Sequence, residues 1–266
     1  MPDRIPSLPE SKHLQIDCLT VKIYNSPTNL AIGAATSARD YLQSLLDKQE
    51  TVSIVLATGN SQLQFLDLFV TASDLDWSRI VLYHLDEYLG IAAQHPGSFR
   101  YYLQEKVANK INPRQFHFIE GDAAQPLAEC HRYTQLLQQQ PIDLCLLGIG
   151  DNGHLAFNEP SVADKSDRDI IKLVKLETKT RQQQINGGYF PDLQSVPSYA
   201  YTLTIPTICQ ARKIFCLAPG LHKAEVVSKT LKAAISSDFP ATILRTQSQA
   251  ILWCDVDSFS RMKALD

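Results

Sequence analysis

The chain has 266 residues, 44% of them hydrophobic and 20% charged, enough to bury about three quarters of the surface that an unfolded chain exposes. Its 25 lysines and arginines stand against 28 aspartates and glutamates, a formal charge of −3, and no basic run is long enough to track a phosphate backbone, so no nucleic-acid partner is expected. No apolar stretch reaches the roughly 18 residues that span a bilayer, and the opening segment MPDRIPSLPESKH lacks the apolar core of a secretory leader; the expectation is a cytoplasmic chain with no membrane partner.

In chain order, an apolar β-branched run predicts a strand at 19–24, followed by a helix over 27–46 that Ser26 can cap and Pro27 can open. A strand at 52–57 precedes a helix at 62–71, and a strand at 80–84 precedes helices at 96–108 and 125–139, the latter ended by the Gln138–Gln140 run and Pro141. A strand at 142–148 follows. Residues 161–197 mix charges with Gly187, Gly188, Pro191 and Pro197, a composition that fits a lid or an inert loop. Strands at 200–205, 213–218 and 251–254 and a helix at 222–234 complete the pattern. This alternation predicts an α/β fold: a mostly parallel twisted sheet with helices on both faces, Rossmann-like, in a single domain over residues 1–266.

The six cysteines include no C-x-x-C pair, and Cys145, Cys216 and Cys254 lie inside apolar runs, so they read as reduced, mostly buried hydrophobes. The seven histidines show neither H-E-x-x-H nor Cys/His cluster spacing, so no metal site is expected. There is no Walker motif and no G-x-S-x-G elbow.

In an open parallel sheet, ligands bind beyond the carboxyl ends of the strands, which directs attention to polar residues after strand-like runs. Thr58-Gly59-Asn60-Ser61 lies between the 52–57 strand and a helix, a turn whose amides and hydroxyls suit an anion, although many inert connections look the same. His84-Leu85-Asp86-Glu87-Tyr88 follows the 80–84 strand. Its acids fit a solvated loop or a proton-abstracting base, with Asp86 the better placed of the two. The segment 148–160, GIGDNGHLAFNEP, packs three glycines into a tight loop that gathers Asn152, His154 and Glu159. A histidine there serves a structural role or moves a proton on a sugar oxygen. Lys223, after the 213–218 strand, is a solvated lysine or a phosphate counter-charge.

Three segments, LATGNS at 56–61, HLDEYLGI at 84–91 and GIGDNGHLAFNEP at 148–160, together resemble the glucosamine-6-phosphate deaminase (isomerase) family, and the similarity runs through most of the chain. The resemblance implies a sheet of the deaminase/ribose-phosphate-isomerase type and conversion of glucosamine 6-phosphate and water to fructose 6-phosphate and ammonia, with no metal or organic cofactor. It implies Asp86 as the base at carbon 2, His154 as the group assisting ring opening, and Glu159 and Asn152 as groups tuning its imidazole. Thr58, Gly59, Asn60, Ser61 and Lys223 would hold the phosphate. Relatives of this kind are often homo-oligomers. Asn152 stands where many relatives have aspartate, and Thr-Gly-Asn-Ser-Gln replaces the more usual Thr-Gly-Gly-Thr-Pro. A phosphate-binding arginine would fall at Asn186, with Arg181 its substitute. A 6-phosphogluconolactonase and a non-catalytic sugar-phosphate sensor are the competing readings.

Overall fold

The computed structural model describes residues 9–71 and 75–262; the segment read above as lacking a leader falls largely at residues 1–8, outside the described residues. The chain opens with a hairpin of β1 (Ser11–Ile16) and β2 (Leu19–Tyr24), the only antiparallel pair in the larger sheet among the described residues. The Ser26 hydroxyl accepts the Asn29 N–H at 3.1 Å and Pro27 fills the first turn, so α1 (Pro27–Leu46) starts where its sequence signals place it. Next come β3 (Val52–Leu56), α2 (Leu63–Val70), β4 (Ile80–His84), β5 (Asp86–Tyr88), α3 (Phe99–Lys106), β6 (Gln115–Phe116), α4 (Pro126–Leu137) and β7 (Leu144–Leu147). The remaining elements are β8 (Ile171–Lys175), α5 (Thr178–Asn186), β9 (Tyr199–Leu203), α6 (Ile205–Cys209), β10 (Ile214–Ala218), α7 (Ala224–Lys232) and β11 (Ala250–Asp255).

Eight strands form the larger sheet in the order β1-β2-β11-β10-β7-β3-β4-β6. Strands β3, β4, β7, β10 and β11 are buried at every residue, which requires cover on both faces and explains their largely apolar sequences. From β3 the chain adds β4 and β6 on one side, then crosses back to lay β7, β10 and β11 on the other. The winding therefore reverses between β3 and β7, the place where an open α/β sheet leaves a crevice beyond its strand ends. No helix among the described residues is long and apolar enough to cross a membrane.

The strand expected at 200–205 departs from the parallel scheme. It forms β9 at the centre of a second sheet, β5-β9-β8, antiparallel to both neighbours. The cause lies at Leu85, whose N–H donates to Leu56 of β3 while its carbonyl accepts from Leu203 of β9. One residue thus hands the chain from the parallel sheet into the antiparallel one. The stretch at 161–197 is more regular than its composition suggested, since it contains β8 and α5. A smaller apolar cluster under this second sheet joins Tyr88, Phe157 and Phe190 to Phe99 of α3.

Candidate active site

A cleft of about 640 Å³ opens at the switch point, a volume typical of small-ligand sites. Its first wall is the turn after β3. Gly59 adopts a φ of 95°, a left-handed conformation that favours glycine, and its carbonyl accepts from the Gln62 N–H and the Tyr102 hydroxyl. The Gln62 side chain reaches across to the Leu147 carbonyl at 3.0 Å and to Ser61 Oγ at 3.0 Å, tying this turn to the end of β7. Thr58, Gly59, Asn60 and Ser61 all line the cleft.

The loop after β7 forms the second wall. Gly150 N–H donates to the His154 carbonyl and Gly153 N–H to the Gly150 carbonyl, so the chain doubles back within four residues. A Cβ on Gly150 would overlap Cε1 and Nε2 of the His154 ring, which is why the imidazole can lie against this backbone. His154 Nδ1 lies 2.7 Å from Asn152 Oδ1, and the same oxygen accepts the His154 backbone N–H at 3.2 Å. That oxygen can only accept, so the ring carries its proton on Nδ1 and keeps a free lone pair on Nε2. Burial, and then the nearby Lys223 charge, pull the imidazole down to about 4, leaving it neutral at pH 7. Ala156, also on the cleft wall, takes a φ of 52°, uncommon for a residue with a side chain.

Asp86 is the first residue of β5, paired with Thr202 where the two sheets diverge. Its residue surface is 7% exposed, and the cleft is what it lines. Burial first, and its neighbour Glu87 second, push its carboxyl well above the usual range, so as a carboxylate it is a stronger base than a solvated aspartate. Glu87 points the other way. It is fully buried and accepts from the backbone of Tyr88, Phe99 and Arg100 and from Ser98 Oγ, filling the N-terminus of α3. The alternating directions of a strand explain why adjacent acids have separate environments.

Lys223 closes a 3-10 turn, Leu221–Lys223, immediately before α7. The turn is fixed by buried Asp255, whose Oδ2 accepts the Gly220 N–H at 2.6 Å while Oδ1 accepts from Asp257 and Ser258. The ammonium donates to the Ile149 carbonyl at 2.9 Å and pairs with Asp151 Oδ1 at 3.2 Å. Among the described residues it is the one lysine or arginine lining the cleft.

Two expected site residues lie elsewhere. Arg181 does not line the cleft; its guanidinium donates to the Val196 and Leu193 carbonyls and closes the 181–196 segment on itself. Those carbonyls engage its guanidinium, whereas Gln183, Gln184 and Asn186 of the same helix line the cavity. Glu159 is completely buried and lies outside the cleft lining, with Oε2 accepting the Glu177 N–H that precedes α5. The hydrogen bond that orients the imidazole comes from Asn152, and the charges acting on the ring are Lys223, Asp151 and Glu177. Asn186, singled out in the sequence only as the position of an absent arginine, does line the cleft; sequence reasoning missed the rest of the third wall, Gln183, Gln184, Gly187 and Tyr189, and the contribution of Tyr102 and Asp151. The Gly187-Gly188 pair after a polar helix was a signal for a turn but not for the face it would present.

The model of the family described as glucosamine-6-phosphate isomerases/6-phosphogluconolactonase matches residues 25–253. A glucosamine-6-phosphate deaminase of Exiguobacterium sp. is 35% identical over 206 residues, 77% of this chain and 79% of that protein. One from Listeria monocytogenes is 32% identical over 233 residues, 88% of this chain and 97% of its own. Among solved structures, a monomeric glucosamine-6-phosphate deaminase superposes with a TM-score of 0.82 at 32% identity, covering 91% of this chain and 99% of the other. A 6-phosphogluconolactonase from Thermotoga maritima shares the fold, with a TM-score of 0.72 at 16% identity, covering 89% and 99%. With its family model spanning all three walls of the crevice, the chain belongs to the glucosamine-6-phosphate isomerase/6-phosphogluconolactonase family.

Proposed function

We propose that the chain is a glucosamine-6-phosphate deaminase, a cytoplasmic enzyme of amino-sugar breakdown that converts glucosamine 6-phosphate and water to fructose 6-phosphate and ammonia. The observation that carries this reading is Asp86: a carboxylate with raised basicity, buried except toward a cavity it shares with a neutral imidazole and an anion-suited turn. Thr58, Gly59, Asn60, Ser61 and Lys223 offer amides, hydroxyls and an ammonium to the phosphate, which fixes carbon 2 relative to Asp86.

Ring opening breaks the carbon 1–ring oxygen bond and moves the proton of the anomeric hydroxyl to the ring oxygen, and the free Nε2 of His154, held by Asn152, can take that proton and hand it on. In the open aldehyde, Asp86 removes the carbon 2 proton, the electron pair forms the carbon 1–carbon 2 double bond, and the carbonyl oxygen takes a proton from solvent. Asp86 returns its proton to carbon 1, leaving an iminium at carbon 2. Water adds there, one of its protons passes to the nitrogen, and ammonia departs as the carbon–nitrogen bond breaks and the remaining hydroxyl loses its proton to form the carbon 2 carbonyl. The substrate's own nitrogen delocalises the charge throughout.

A lactonase needs a base toward water but no group that exchanges a carbon-bound proton. The test is to offer purified protein glucosamine 6-phosphate and 6-phosphogluconolactone in parallel, measuring ammonia and lactone hydrolysis. Ammonia release with no matching lactone turnover is expected; lactone hydrolysis alone would overturn the reading, and sugar-phosphate binding without either reaction would make the chain a sensor.

A further inference from the structure

Asp151 is a charged member of the cleft that this chemistry leaves unused. It lies between Ile149, whose carbonyl holds Lys223, and Asn152, which orients the imidazole. Its side chain is 52% exposed, yet both oxygens are engaged: Oδ1 with Lys223 Nζ at 3.2 Å and Oδ2 with Gln183 Nε2 at 2.6 Å. The carboxylate therefore bridges the lysine before α7 to Gln183 of α5, both of which line the cleft.

From this bridge we propose that Asp151 is a selectivity residue that stands in for the substrate's anion. In the empty cleft it neutralises Lys223, so a ligand gains the ammonium only by supplying an anion strong enough to displace a carboxylate. A phosphate dianion, with its higher charge and three oxygens, can do so, whereas a neutral sugar or a monocarboxylate gains little by the exchange. Gln183 acts on the carboxylate and not on the ligand: by holding Oδ2 it keeps Oδ1 turned toward the lysine. The inference rests on the deaminase reading for its substrate, glucosamine 6-phosphate, but its charge argument needs only a phosphorylated ligand.

The sign of the effect separates this role from a merely structural one. If Asp151 competes with the anion, Asp151→Asn removes the competitor and one repulsive charge. Inorganic phosphate should then bind roughly fivefold tighter by titration calorimetry, the scale of an exposed ion pair, and KM for glucosamine 6-phosphate should fall in parallel. Gln183→Leu should act in the same direction more weakly, and should add nothing in the Asp151→Asn background, because its only target is gone. Weaker phosphate binding in Asp151→Asn would mean that the carboxylate merely orients Lys223, and unchanged binding would mean that the bridge is irrelevant; either overturns the proposal. A Gln183→Leu loss that persists in both backgrounds overturns the role of Gln183. Phosphate binding is read without turnover, so a wild-type protein that releases no ammonia defeats the deaminase reading and leaves this test intact.

Discussion

The two sheets differ in the balance of apolar and polar groups they bury, although one residue, Leu85, joins them. In the larger sheet the central strands bury aliphatic side chains on both faces: Ile54, Leu82, Leu146 and Leu217 have no exposed surface. The antiparallel sheet and its surroundings instead bury Asp86, Glu87, Asn158, Glu159, Thr202 and Thr204. Asn158 Nδ2 donates to the Leu155 and Leu203 carbonyls, and Thr202 Oγ1 accepts the Phe157 N–H, so the loop that carries His154 is pinned to β9 by polar contacts. Apolar burial is non-directional and tolerates small shifts, whereas buried polar groups are stable only with partners in fixed places. One region supplies stability and the other supplies position. Asp86 sits at the boundary, where it combines an apolar surround with an opening to ligand.

That contrast is broken most severely by Asp86→Asn. The amide cannot take a proton from carbon, so kcat should fall about a thousandfold or more while phosphate-dependent binding persists. Stability should move the other way. The folded-state carboxyl lies above its ordinary value of 3.8, so the folded chain holds that proton to higher pH than the unfolded chain. The associated stabilisation is complete below that value and is lost as pH rises through the folded one. At neutral pH the variant should therefore melt at a higher temperature than the wild type, with the difference closing in acid. A lower melting temperature at pH 7 would contradict the electrostatic account of this side chain.

Leu146→Ala is the complementary case: truncation in the middle of β7 should cost about 3 kcal/mol in chemical denaturation, with kcat of the folded fraction little changed. Glu87→Gln addresses the buried polar region away from the cleft. Its amide end can no longer accept from all the α3 donors, and leaving one orphaned should cost roughly 2 kcal/mol; denaturation with unchanged stability would show that α3 does not need this cap. The smallest effect belongs to Asn152→Asp. A carboxylate against Nδ1 should raise the imidazole from about 4 toward neutrality, visible in an NMR titration of His154 or in the acid limb of kcat/KM. A ring that titrates as before would mean that residue 152 orients it without acting on its charge.

The same division decides how much could be read from sequence. The strands at 19–24 and 80–84 and the helix at 27–46 are found where periodicity and the Ser26-Pro27 signal put them, because apolar runs and caps are local properties. The clustering of Asp86, His154, Lys223 and the 58–61 turn followed from the carboxyl-end rule together with family resemblance. The tertiary choices were not legible. Strand β8 is an edge strand with lysines at 172 and 175, and only its pairing with β9 makes it a strand. Helix α5 has no apolar stripe to announce it, and which of its polar side chains meets the cavity depends on how the segment closes, so Arg181 and Gln183 could not be told apart by spacing. Glu159 follows the imidazole closely in sequence, but a turn at 155–158 carries it behind the wall to the start of α5.

The central claim is that the Asp86 carboxylate takes the proton from carbon 2 of the bound sugar. It is tested most directly by following that proton by NMR in deuterium oxide, with glucosamine 6-phosphate and either wild-type protein or Asp86→Asn. Loss of the carbon 2 signal in step with ammonia formation by the wild type, and its retention with the variant still able to bind phosphate, is the expected result. Carbon 2 signal loss by the variant at the wild-type rate would contradict it.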